Sequence, residues 1–204
     1  MNWYEVMGPD EIVSQGDIFF ECPVYSIDAS TINYASPYGA AKAKTIAYIE
    51  DFVVLTQACD LEPNIEGKVE LGQVIVAPIY DVETMETVKN KWDFVSEVHA
   101  GKRPNYYLLA NSEIGVTMGF KIVDFSNIIT VPYEFLSNYR KYNGDGNRLR
   151  IKSPHRELLS QKFGYYFMRI GLPRGDSIDK TELKRVVQEI KPIPELMRVV
   201  AKLK

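Results

Sequence analysis

Short runs rich in β-branched and aromatic residues follow one another through the first two thirds of the chain, at residues 17–25, 45–50, 52–57, 69–80, 105–110, 118–124 and 127–131. Such residues fit a pleated, half-buried surface, so each run reads as a strand. Few helical patterns lie between them, and parallel pairing needs a crossover of a dozen or more residues at every step. The chain is therefore expected to build an antiparallel barrel or a strongly twisted sheet. In the run 69–80 the middle is continuously apolar, and Pro78 has no N–H to give a ladder; the strand should bend or reach an edge there.

One helix is expected to interrupt the strands over residues 83–100, where Met85, Val88, Trp92 and Val95 recur at steps of three and four with Phe94 beside them, and Gly101 supplies a stop. Its stripe reads as core packing, with the covering of one barrel mouth as the alternative. After the turn cluster Tyr142-Asn143-Gly144-Asp145-Gly146-Asn147 the pattern becomes helical. Ser153 as N-cap and Pro154 at the first helical position open a helix to about Ile170, with Leu159, Phe163, Tyr166 and Ile170 on one face. Helices at 180–190, capped by Asp179, and 195–203 follow, separated by Pro192 and Pro194. At 204 residues this is one α+β domain, with a strand-rich part over 1–150 and a helical part over 151–204.

Hydrophobic residues at 46% suit a globular chain, and no apolar stretch approaches the roughly 18 residues of a membrane span. The first six residues carry neither a cationic nor an apolar leader segment, so a cytoplasmic location is expected. Two cysteines, Cys22 and Cys59, and two histidines, His99 and His155, are too dispersed for a disulfide scaffold or a zinc site of closely spaced ligands. No metal or cofactor is expected.

Charge divides the chain. Residues 1–100 hold 17 acids against 5 lysines and no arginine, a balance of −12, while residues 101–204 hold 10 acids against 19 Lys and Arg, a balance of +9. Either the second half meets an anionic partner, or the halves attract one another within one fold. Arg103, Arg148, Arg150 and Arg156 are the candidate cations for a partner or a nucleic acid, and Tyr142, Phe163, Tyr165, Tyr166 and Phe167 interleave with the later ones, as in proteins that stack bases along a phosphate backbone. Pairing with acids of the first half is the competing reading and the one expected to hold.

Two places in the first half invite chemistry. Gly16-Asp17 before a strand is a turn, with Gly at positive φ and Asp capping backbone N–H groups. Further on, the buried strand Phe52-Val53-Val54-Leu55 runs into Thr56, Gln57, Cys59, Asp60 and Glu62, and a polar cluster at a strand end is held rigidly beside a loop that admits a ligand. The opening Gly16-Asp17-Ile18, followed after the insertion at 26–44 by Val53-Val54-Leu55-Thr56, resembles the MazF/PemK toxin family over about residues 14–80.

The resemblance implies an SH3-like barrel, homodimerisation, and a metal-independent endoribonuclease or a gyrase poison. The family pattern places a Ser or Thr at the end of the second strand, matched by Thr56, with Gln57 and Asp60 beside it as candidate catalytic residues. It also places a phosphate-clamping arginine just before that strand, where this chain has Glu50-Asp51, and two carboxylates there repel RNA. Relatives of this fold also serve as non-enzymatic modules in prokaryotic toxin and defence systems, including an anti-sigma-like target of a CRISPR-associated Lon-type protease. The expected function is accordingly a catalytically degenerate, partner-binding module whose partner is an antitoxin, sigma factor or protease; the alternative is a toxin-type endoribonuclease or RNA-binding protein. Cys59, flanked by Asp60 and Glu62, lacks the cationic surroundings that make a thiolate, and is expected to be a small buried hydrophobe. Asp60 and Glu62 alone do not make a divalent-ion site.

Overall fold

A computed structural model describes residues 3–35, 42–85, 91–142 and 147–168, with the side chains of 140–142 left aside. Within these residues the chain is α+β: eight strands in one antiparallel sheet, and three α-helices. The strands are β1 (Tyr4–Met7), β2 (Asp17–Ile27), β3 (Thr45–Val54), β4 (Gln73–Asp81), β5 (Tyr106–Leu109), β6 (Lys121–Asp124), β7 (Ile129–Pro132) and β8 (Arg148–Ile151). The helices are α1 (Lys91–His99), α2 (Tyr133–Tyr142) and α3 (His155–Met168). The sheet runs β1-β8-β2-β3-β4-β6-β5, with β7 also on β4.

The two runs expected at 45–50 and 52–57 are one strand, β3, because Glu50 and Asp51 continue the ladder against β2 and leave no turn between them. In β2 the register slips between Phe19 and Cys22, where Glu21 takes φ 50° and its N–H is held by the Asp51 carboxylate at 2.8 Å. Pro78 sits not at an edge of the sheet but at a change of partner within it. One edge of β4 pairs with β3 through Phe52↔Pro78, while the other pairs with β7 up to Val76 and with β6 from Ile79 onward. A residue without an N–H falls in the gap between two ladders.

Alternate residues of the central strands enter two cores. Ile18, Val53, Ile79 and Leu149 face one side, which α3 covers with Leu159, Phe163 and Tyr166. Phe19, Phe52, Val74 and Val76 face the other, covered by Leu136, Phe135 and Tyr139 of α2. A third, smaller cluster sets Phe94 and Val98 of α1 on Ile122. The sheet is not closed. Between its outer strands, Tyr4 Oη donates to the Ala110 carbonyl at 2.6 Å, and Val6 packs against Gly115 so tightly that a Cβ there would lie 2.7 Å from a Val6 methyl.

Several expectations change. The helix expected over 83–100 is described from Lys91, with Glu83 and Thr84 in a turn and 86–90 outside the described residues. Phe94 and Val98 are buried on Ile122, with the expected Met85 and Val95 packed beside them, while Trp92 is 77% exposed, because the i, i+4 pair that meets Ile122 is rotated away from the Trp92 position. Strands β1 and β8 and helix α2 are additions: β8 alternates arginines with its apolar residues, and the apolar residues of α2 alternate with as many polar ones. Helix α3 opens one residue beyond Pro154. Gly144 to Gly146 and the helices expected at 180–190 and 195–203 lie outside the described residues. Among the described residues no helix is long and apolar enough to cross a membrane.

Candidate functional site

At the strand-end cluster, β3 stops and the chain turns into a 3-10 segment, Ala58–Leu61, whose Leu61 anchors it in the core. Thr56 is 8% exposed, and its Oγ1 accepts the Ile75 N–H at 2.7 Å while its own N–H donates to the Ile75 carbonyl at 3.3 Å. The hydroxyl therefore extends the β3–β4 pairing past the last ladder residue. Gln57, Cys59 and Asp60 are exposed, with Cys59 Sγ 3.9 Å from both the Gln57 and the Asp60 side-chain oxygens. Cys59 is thus not the buried hydrophobe expected of it: the turn carries Leu61 inward and leaves Cys59 outside. The buried thiol is Cys22, which burial pushes up to about 12. Among the described residues no group of three or more His, Cys, Asp or Glu is placed to hold a metal ion.

Gly16-Asp17 is a turn of the expected kind and also the electrostatic centre of the fold. Gly16 takes φ 83° and lies 3.2 Å, at its would-be Cβ, from Ile151 Cβ. Asp17, fully buried, accepts from Ser14 N at 3.0 Å, Arg148 Nε at 2.7 Å, and Arg150 Nε and Nη2 at 2.5 and 3.0 Å. Arg148 and Arg150 are two apart on β8 and so share a face, and Arg150 is the direct cross-strand partner of Asp17. The remaining Arg148 nitrogens hold the carbonyls of Gly8, Glu11 and Ile12 at 2.8–3.0 Å, tying down the β1–β2 connection. Arg148 is 3% exposed, so its charge is spent inside the fold. Part of the +9 half thus answers the −12 half through one buried carboxylate. Arg156 pairs with its neighbour Glu157 at 2.9 Å, and Arg103 with Glu97 at 2.6 Å while its guanidinium lies 5.0 Å from the centre of the Phe94 ring.

Glu50 and Asp51, standing where the family pattern has its arginine, occupy different surroundings. Asp51 binds Lys121 Nζ at 2.9 Å, and Lys121, 4% exposed, is shared with Asp81 at the same distance. Glu50 lines a cavity of about 400 Å³ with Tyr48, Tyr80 and Asn127. Burial first, and then the Asp51 charge, raises the Glu50 carboxyl above its ordinary value; burial, followed by the Glu50 and Asp124 charges, pushes the Tyr80 phenol up to about 12. Such a cavity disfavours a phosphodiester.

A larger cavity of about 540 Å³ opens among the β5 strand, the end of α1 and the outer face of α3. Both histidines reach it. His155 stacks on Trp3 with ring centroids 3.9 Å apart and planes within 7°, and His99 stands at the end of α1. Arg103 and Lys162 line it as well, and Lys162 Nζ lies 3.5 Å from where a Cβ on Gly101 would be. Tyr107, 7% exposed, lines the wall; burial pushes its phenol up to about 12, and its hydroxyl is the buried side-chain polar atom without a hydrogen-bond partner among the described residues.

Of the candidate residues, then, Thr56, Gln57 and Asp60 stay together at one strand end, Arg148 and Arg150 meet at Asp17, and Arg103 goes to the large cavity without Arg148 or Arg150. His99 and His155, 56 positions apart, carry no spacing signal that would bring both to one cavity. The usable hint lies in α3: with Leu159, Phe163 and Tyr166 inward, Leu158, Lys162 and Tyr165 necessarily form another face. Compared with protein-family models and with curated proteins, the chain matches none, and its geometry carries the functional reading.

Proposed function

We propose that this chain is a MazF/PemK-like fold, an opened derivative of the SH3-like barrel, that is catalytically degenerate at the toxin-type position and works in the cytoplasm as a protein-binding module of a prokaryotic toxin or defence system. The observation that carries the reading is the outer half of the β2–β3 ribbon. Tyr25, Ile27 and Ile49 are 64%, 60% and 62% exposed. The register Pro23↔Ile49, Tyr25↔Ala47 and Ile27↔Thr45 puts them on one face, whose six positions here carry no charged side chain. Contiguous apolar and aromatic surface rimmed by polar residues marks protein contact, and a face without cations has nothing to neutralise a phosphate backbone. Degeneracy is supported by Thr56, whose hydroxyl is buried and engaged, and by Glu50 in the acidic cavity.

The test is co-expression with the products of neighbouring genes, with an antitoxin, sigma factor or protease as the expected companion. The wild-type chain should co-purify with one of them, Tyr25→Glu/Ile49→Glu should lose it, and Asp60→Ala should keep it. Association that survives the double substitution, or RNA cleavage by a chain that holds no protein partner, overturns the proposal.

A further inference from the structure

We propose that the 540 Å³ cavity beside β5 is a binding site for a nucleotide, with the phosphate held by Lys162, Arg103 and the histidines and the base laid on the aromatic wall. This is independent of the β2–β3 ribbon and of the Thr56 cluster, neither of which contributes to the lining. The chemistry of the wall is one-sided. Arg103, Lys162, His99 and His155 converge on it, and among the described residues no Asp or Glu lines it. Arg103 is partly compensated by Glu97, which holds Nε and leaves the two terminal nitrogens for a ligand. Lys162 has no carboxylate partner among the described residues.

Lys162 and the free end of the Arg103 guanidinium leave this wall positive, which selects an anion, and the rest of the wall says what kind. Trp3 with His155 is a preformed stack, and Tyr106, Phe120 and Tyr165 add aromatic surface, of which Phe120 and Tyr165 are 50% and 59% exposed. Flat π surface next to cations fits a planar base carrying a phosphate better than it fits an aliphatic acid, which would gain nothing from stacking. A volume of about 540 Å³ is in the range of small-molecule sites, which is room for a single nucleotide and not for a folded strand.

The test uses the full 204-residue chain and calorimetric titration with 5′-AMP, 5′-GMP, 5′-CMP and 5′-UMP. At least one should bind saturably at one site per chain, with the matched nucleoside and inorganic phosphate each weaker by about tenfold or more, since each keeps only half of the contacts. In a Trp92→Phe background, which leaves Trp3 as the sole reporter, the bound nucleotide should quench fluorescence. Lys162→Ala and, separately, the exposed His99→Gln should weaken binding, the lysine change by about tenfold, with an unchanged thermal melt. Arg156→Ala, outside the cavity, should leave binding as it is. Absence of saturable binding for all four monophosphates at millimolar concentration overturns the proposal. So does binding that both Lys162→Ala and His99→Gln leave untouched, or binding of an octanucleotide by a chain that takes none of the monophosphates.

Discussion

Replacing Arg148 with Met tests the claim that the second half's positive charge is structural. Met keeps the length and apolar stem of the side chain and removes the guanidinium. The residue is 3% exposed, so water cannot take over its partners. The variant strips Asp17 Oδ2 of its 2.7 Å donor and removes the Arg148 bonds to the Gly8, Glu11 and Ile12 carbonyls, of which Ile12 keeps a bond from Arg150 Nη2 at 2.6 Å. Removing one member of a buried ion pair costs about 3–5 kcal/mol, because the remaining charge stays desolvated. Arg150 still holds Asp17 through two nitrogens, which moves the expectation to the lower end, while the three lost carbonyl bonds move it up again. A loss of about 4 kcal/mol is expected. In urea, with a slope of about 2 kcal/mol per molar, the midpoint should fall by about 2 M with the slope unchanged. Arg156→Gln, whose partner Glu157 is exposed, should shift stability by under about 0.5 kcal/mol. An Arg148→Met chain within about 1 kcal/mol of wild type would refute the reasoning, as would equal losses from the two arginines.

Three further outcomes follow from the same structure. Thr56→Val should cost about 1–3 kcal/mol in urea unfolding, because the Ile75 N–H loses the acceptor that stands in for a ladder partner. Glu50→Gln should raise Tm at pH 7 and lose that advantage near pH 4: an acid whose folded pKa is raised by burial withdraws stability on ionising, as pH climbs from the unfolded value through the folded one. Treatment of the native chain with a thiol reagent at pH 8 should label Cys59 quickly and leave Cys22, buried and pushed up to about 12, for denaturing conditions; Cys59→Ser should abolish the fast phase.

Strand-forming runs were legible because β-branched and aromatic residues cluster where the sheet is covered on both faces, as at Phe52-Val53-Val54, while Pro78, which suggests a bend or an edge, marks instead a change of partner along β4. Arg148-Leu149-Arg150-Ile151 also alternates as a strand should, yet its arginines point to a buried carboxylate instead of solvent. Read in one dimension, a charged residue every second position looks like a binding surface; only the pairing of β8 with β2 turns it into an internal clamp. Trp92 misled for the opposite reason, since its size suggested core while the register of α1 on Ile122 excluded it. The large cavity had no signal in spacing at all, because Trp3, His99, Tyr107 and His155 come from four separate elements and connections and meet only through the sheet order.

Incubating the purified chain with long RNA and with single-stranded DNA, in the presence and absence of Mg²⁺, bears most directly on the proposal that the Thr56 cluster is catalytically silent. With the Thr56 hydroxyl committed to Ile75 and a raised-pKa carboxyl in place of a phosphate-clamping arginine, both substrates should remain intact. Cleavage of either that disappears in Asp60→Ala, an exposed substitution that leaves the thermal melt where it was, would contradict the account.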